Sequence, residues 1–317
     1  MRKAPGLEYL HQPVLVRHVV TYLVHRADGI YVDGTVGTGG HSLAIAKNLR
    51  GKGRLICLDK DTEAVGLARK RLAFPGERVL VVKANYADLD KVLEDREIKA
   101  VDGVLLDLGM SSHQLESSGR GFSFSKDEHL DMRMDPDDVS TAHHLVNSLS
   151  QRELETLLKD FGEERMRRPI ARAIVRARTG RPIETSKELA ALIKSVIFPS
   201  RSTRARHPAT RTFQALRIAV NRELQNLETF LNKIPLLLAK RGRLVAISYH
   251  SLEDRLVKRA MSEWERPCTC PPDFPQCVCG KVRLFKRLFK GCVKPDRNEI
   301  GENPRSRSAR LRAAERV

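Results

Sequence analysis

Apolar residues in this chain fall into short continuous runs that alternate with stretches of helical period. The first run opens "GIYVDGTVGTGGHSLAIA" (29–46), which passes through a glycine-rich loop into a helical pattern. "RLICLD" (54–59) is the second, and Val65, Leu67, Ala68 and Leu72 follow it at helical spacing. "RVLVVKANYADLD" (78–90) and "VDGVLLDLG" (101–109) supply a third and a fourth. Strands alternating with helices predict a parallel, doubly wound sheet whose ligand lies at the carboxyl ends of its strands. Asp33, Asp59, Tyr86 and Asp107 all fall at or just beyond such ends.

The period then changes. Between about 140 and 200 only helical patterns occur. "SQRELETLLKDFG" opens with a capping box, Ser150 and Glu153, and "TSKELAALIKSVI" repeats it with Thr185 and Glu188. Between them Arg165, Arg168, Arg172 and Arg176 recur every three or four residues, a basic stripe opposite Ile170, Ala173, Ile174 and Ala177. "RTFQALRIAVNRELQNLETFL" (211–231) reads as one long helix, after which the α/β pattern resumes. "GRLVAISYHS" (242–251) predicts a fifth strand, "LEDRLVKRAMSEW" a helix, and "VRLFKRLF…CVKP" the strands of a closing hairpin. The expected organisation is a Rossmann-like α/β domain (1–109) interrupted by a helical insertion (110–207) and completed by 208–317 with a basic C-terminal tail.

The glycine loop has three candidate ligand classes. A P-loop requires Lys and then Ser or Thr after its last glycine, but Gly40 and His41 follow Gly39. A dinucleotide fingerprint starting at Gly37 and Gly39 requires glycine or alanine where Ser42 stands. An adenosylmethionine loop needs an acid followed by spaced glycines, as in Asp33-Gly34-Thr35-Val36-Gly37-Thr38-Gly39-Gly40. Its glycines admit an uncharged nucleoside and a zwitterionic amino acid close to the backbone. Asp59, at the tip of the second strand, suits the two hydroxyls of a ribose. A plain glycine-rich turn is the structural alternative.

Charge adds a partner. The net charge is +18. Residues 1–109 are nearly balanced (17 − 14 = +3), whereas 165–217 carry +12 (14 − 2) and 281–317 carry +8 (12 − 4). Basic fields concentrated in this way suit a polyphosphate, so nucleic acid is favoured over a merely solvated face or an anionic membrane surface. No apolar run reaches membrane-span length, and no export signal is evident, which makes the cytoplasm the expected compartment. Cys268, Cys270, Cys277 and Cys279 lie in "CTCPPDFPQCVCG". Zinc, a reduced cluster and a redox-sensitive disulfide all stay open there, and no metal ligand is assigned.

Seven blocks, in order along nearly the whole chain, resemble the bacterial 16S rRNA (cytosine-N4)-methyltransferase family. They are "HQPVL", "DGTVGTGGHS", "DLGMSSHQL", "RGFSF" with "LDMRMDP", "PATRTFQALRIAVNRELQNLE", "SYHSLEDRLVKR" and "NPRSRSARLRAAER". The resemblance implies a class I methyltransferase sheet interrupted by an all-helical domain, with S-adenosyl-L-methionine as cofactor. It implies N4-methylation of a decoding-centre cytosine in the 30S subunit, and helical-domain contacts to RNA. Carried over by motif, the cofactor contacts are Gly39, Gly40, His41, Asp59, Tyr86, Asp107 and Gln114, although His113 stands where the family often has proline. The group that accepts the N4 proton is unassigned, with Ser111, Ser112 and His250 as candidates. A homodimer is compatible with the sequence, and no obligate protein partner is evident. A non-catalytic assembly factor, a DNA methyltransferase and a nicotinamide dehydrogenase are the competing functions.

Overall fold

The structure is a computed structural model that describes residues 13–73, 78–116, 118–197, 207–268, 270, 276 and 278–317. His11 and Gln12 of the first block, the basic run 201–206 and Cys277 lie outside the described residues. The chain divides into two compact units, Met1–Gly109 with Leu224–Val317, and Met110–Glu223.

Among the described residues the first unit holds seven strands: β1 (Ile30–Asp33), β2 (Arg54–Asp59), β3 (Val79–Lys83), β4 (Val101–Asp107), β5 (Leu238–Ser248), β6 (Phe285–Arg287) and β7 (Arg310–Arg316). They form one sheet in the order β3-β2-β1-β4-β5-β7-β6. The β3-β2-β1-β4-β5 portion is parallel, and β7 runs antiparallel to both β5 and β6. The sheet is Rossmann-like, with its order reversing between β1 and β4, the switch point at which such sheets open a ligand crevice. Its N-terminal segment carries the helices α1 (Val16–Leu23), α2 (Gly40–Asn48), α3 (Thr62–Arg71) and α4 (Leu89–Glu94).

Successive strand residues feed two cores. Tyr31, Leu55, Cys57, Leu105, Val245 and Ile247 pack with Val19 and Leu23 of α1, Ile45 of α2 and Val65 of α3. Val32, Ile56, Leu58, Val104, Leu106 and Ala246 face the other way, onto Leu89 and Leu93 of α4 and onto Leu227, Phe230 and Ile234 further along the chain. Burial on both faces is why these strands are continuous apolar runs.

The second unit is helical: α5 (Ser112–Glu116), α6 (Ala142–Ser148), α7 (Gln151–Gly162), α8 (Arg167–Arg178), α9 (Ser186–Val196) and α10 (Thr210–Asn221). Both expected capping boxes form, at Ser150/Glu153 and Thr185/Glu188. Leu154, Leu158, Ile170, Ile174, Leu189, Ile193, Phe213 and Leu216 share its core. Because α10 packs there, the unit runs to Glu223 and not to 207.

Two sequence expectations are corrected. The long helix over 211–231 is broken at Arg222, which takes a left-handed conformation (φ 50°), so α11 (Glu223–Leu237) starts anew. The buried Asn221 side chain accepts from the Met134 amide and donates to the Met132 carbonyl, both at 2.8 Å, while Arg217 grips Glu223 bidentately. These tertiary bonds override local helix propensity. The second correction concerns the tail. The partner of β6 is β7, not the "CVKP" segment, of which Val293 alone bridges to Leu311. The end of the tail is therefore an interior strand, and the arginines of that strand are bonded within the unit. Arg310 and Arg312 both bind Asp254 of α12 (Ser251–Glu265), and the final helix α13 (Arg297–Glu302) precedes β7. Among the described residues no helix is long and apolar enough to cross a membrane.

Candidate cofactor site

The loop between β1 and α2 lies against the ends of β4 and β2. The Gly34 amide donates to the Leu105 carbonyl (2.9 Å). A Cβ on Gly34 would stand 2.6 Å from the Leu106 side chain and 3.1 Å from that of Tyr86, so no larger residue fits there. Gly39 caps α2 with φ 80°, a conformation that costs glycine little.

Three carboxylates organise this loop. Asp33 is buried and accepts from the Ser42 hydroxyl (2.6 Å) and the Thr35 amide (3.2 Å). Asp59, at the end of β2, accepts from the Gly37 amide (2.9 Å) and the Asp61 amide (3.0 Å). Asp61 in turn caps α3 by accepting from the Glu63 amide. Asp107, at the end of β4, receives the Tyr249 hydroxyl at 2.9 Å and lies 3.4 Å from Nδ1 of His41. Its own amide donates to the Thr35 hydroxyl (2.7 Å).

Burial pushes the Asp33 carboxyl upward, against the opposing Ser42 hydrogen bond. It pushes Asp59 up to about 6, against the Asp61 and Gly37 amides that favour its ionised form. The Tyr249 hydroxyl is raised by burial and then by the neighbouring Asp107 charge, so it stays protonated and donates.

Gly39, Gly40, His41, Asp59, Tyr86 and Asp107 thus belong to one unit, around the end of the glycine loop. Tyr86 follows β3 and sets its ring edge-on to Phe230, 5.7 Å between centroids. The His41 ring is buried, with Nε2 on the Val14 carbonyl (2.8 Å) and Nδ1 toward Asp107. Gln114 belongs to the helical unit, where its side-chain oxygen accepts the Ser111 amide (3.0 Å) and its own amide donates to the Ser111 hydroxyl. Ser112 also lies in that unit. His250 caps α12, accepting from the Glu253 amide, while Glu253 reaches back to the Tyr249 and His250 amides. Sequence reasoning missed Thr35, Ser42 and Tyr249. Tyr249 is the residue immediately after β5, so the strand-end rule that selected Tyr86 reaches it as well.

The donor set fits adenosylmethionine. No lysine follows the glycines to grip phosphate, and a buried acid, Asp33, underlies the loop where a pyrophosphate would be repelled. Carboxylates at the ends of β2 and β4 suit hydroxyl and amino donors, and the first amides of α2 suit a carboxylate.

Comparison with known proteins agrees. The model of the MraW methylase family matches residues 8–317. The chain is 47% identical over 311 residues to ribosomal RNA small subunit methyltransferase H of Lachnospira eligens, covering 98% of this chain and 99% of that protein. It is 47% identical over 311 residues to the protein of that name from Clostridium botulinum (strain Kyoto / Type A2), covering 98% and 100%. With the Geotalea uraniireducens protein the identity is 48% over 310 residues, covering 98% and 99%. A family match over nearly the whole chain, joined to this fold, shows that the chain belongs to the MraW methylase family of S-adenosylmethionine-dependent methyltransferases.

Proposed function

We propose that this protein methylates the exocyclic N4 of a decoding-centre cytosine in 16S rRNA, within the small ribosomal subunit, in the cytoplasm. The observation that carries this reading is the likeness, over 98% of the chain, to proteins named ribosomal RNA small subunit methyltransferase H. The exposed Arg165, Arg168, Arg172 and Arg176 support an RNA partner.

Bound adenosylmethionine supplies a methyl group on a sulfonium, already a strong electrophile. The chain's work is then to hold and align. Asp59 would accept the ribose hydroxyls, and Tyr86 would flank the adenine. The amides of Gly40 and His41 would take the carboxylate of the amino-acid end, beside the turn that Gly39 makes with its own amide on the Val36 carbonyl. Asp107, which receives the Tyr249 hydroxyl, would accept the adenine amino group or the cytosine N4–H. Accepting an N4–H would localise the nitrogen lone pair, which is otherwise delocalised into the ring. The cytosine must leave its stack to reach the methyl group, and phosphate contacts to the basic helix hold the RNA meanwhile. His250 is a helix cap, which argues against it as the base.

The test is transfer from labelled adenosylmethionine to 30S subunits lacking this modification, followed by digestion of the rRNA to nucleosides. Label in N4-methylcytidine is expected. Transfer to DNA instead, or cofactor binding with no transfer to 30S, 16S rRNA or DNA, would replace this reading.

A further inference from the structure

The segment linking α12 to β6 shares no residue with the cofactor loop. At its base the Leu284 amide donates to the Trp264 carbonyl (2.9 Å), and Arg287 pairs with Glu265. Between these points the described residues offer little apolar burial, and Val278 and Val282 are exposed. Yet the thiol sulfurs of Cys268, Cys270 and Cys279 converge to within 4.8 Å of one another. Cys268 and Cys279 stand 3.7 Å apart, sulfur to sulfur. Zinc holding thiolates at about 2.3 Å in a tetrahedron sets sulfur–sulfur edges of about 3.8 Å. A disulfide requires about 2.05 Å.

Two further features suit thiolates. The Cys270 amide points at the Cys268 sulfur (3.3 Å) and the Val278 amide at the Cys270 sulfur (3.4 Å). Amides aimed at ligating sulfurs orient them and stabilise their negative charge. Gly280, directly after Cys279, turns the chain with φ 60°.

We propose that Cys268, Cys270 and Cys279 hold a zinc ion that folds this connecting segment. Each thiol binds as a thiolate and gives its proton to solvent, so affinity rises with pH. The three thiolates fill three positions of the tetrahedron, and a further ligand completes it. The role is structural. The cluster follows the far end of α12 from Tyr249, and the helix's 15 residues span about 22 Å.

The test uses the full chain, isolated under reducing conditions without a metal-binding tag. Elemental analysis is expected to find about one zinc per chain, and cobalt substitution to give thiolate-to-cobalt charge-transfer absorption. A chain carrying both Cys268→Ser and Cys279→Ser should lose metal and absorption together, while Cys292→Ser keeps both. Wild-type protein that is metal-free and binds added zinc no more tightly than the double variant would overturn the proposal. So would a Cys268–Cys279 disulfide in freshly isolated reduced protein, or metal loss in Cys292→Ser equal to that of the double variant. The wild-type stoichiometry decides the matter even if a variant folds poorly.

Discussion

Two arginine-rich segments look alike in sequence and are treated oppositely by the fold. In α8, Arg168, Arg172 and Arg176 stand exposed, as does Arg165 just before it. Arg168 has a distant partner in Glu155 at 3.9 Å, and Arg172 and Arg176 have no side-chain partner among the described residues. In β7, Arg312 is buried, with Nε 2.7 Å from Asp254, and it also donates to the Gly291 carbonyl. Arg310 shares the same carboxylate, and Arg316 donates to the Leu238 carbonyl. The buried Glu315 beside them takes Arg243 and Lys286. Charge density along the chain therefore does not separate a nucleic-acid face from a strand; partners do. One set of guanidinium groups is free to meet phosphate, while the other holds the last strand in place.

The largest effect should come from removing a partner in the buried set. Asp254→Ala leaves Arg312 without its carboxylate inside the protein, a change that costs about 3–5 kcal/mol. Urea unfolding is the measurement, and a loss under 1 kcal/mol would show that the β7 arginines are not structural. In α8 the expected outcome is reversed. Arg172→Ala with Arg176→Ala should leave unfolding unchanged, weaken binding to small-subunit RNA, and flatten its logarithmic salt dependence by roughly 1.5. Equal affinity and slope in the variant would return that stripe to ordinary solvated surface. The smallest change tests the same partner logic inside the cofactor site. Tyr249→Phe removes one donor from Asp107 and should weaken adenosylmethionine binding by roughly 3- to 10-fold, the effect of one net hydrogen bond. Unaltered affinity would mean that the Tyr249 hydroxyl does not position Asp107 for the cofactor.

What was legible from sequence depended on how local its cause is. The parallel strands announced themselves because both faces are buried, and Asp33, Asp59 and Asp107 were found because a strand end is a sequence position. The capping boxes at Ser150 and Thr185 are likewise complete within four residues. The break at Arg222 was not legible, since the helical period continues through it. Its cause lies some ninety residues away, at Met132 and Met134, which the Asn221 side chain binds. β7 was misread for the same reason: "RLRAAER" is a strand because Asp254 and the β5 backbone meet it. Tyr249 belongs to the site because of Asp107, 142 residues earlier in the chain.

Calorimetric titration of adenosylmethionine tests whether Asp59 takes the cofactor. With the carboxyl pushed up to about 6, the unliganded protein holds a proton on Asp59 below that pH, whereas an unfolded aspartate stays ionised down to about 4. Ribose hydroxyls donate to the ionised form, so affinity should rise as pH increases through about 6 and level off above it. Asp59→Asn should weaken binding roughly 100-fold at pH 7.5, as expected for lost charge-assisted hydrogen bonds, and abolish the pH dependence. The same variant should also lose some stability, because a side-chain amide cannot accept from both the Gly37 and the Asp61 amides as the two carboxylate oxygens do. Wild-type affinity in Asp59→Asn, with the pH dependence intact, would contradict the account.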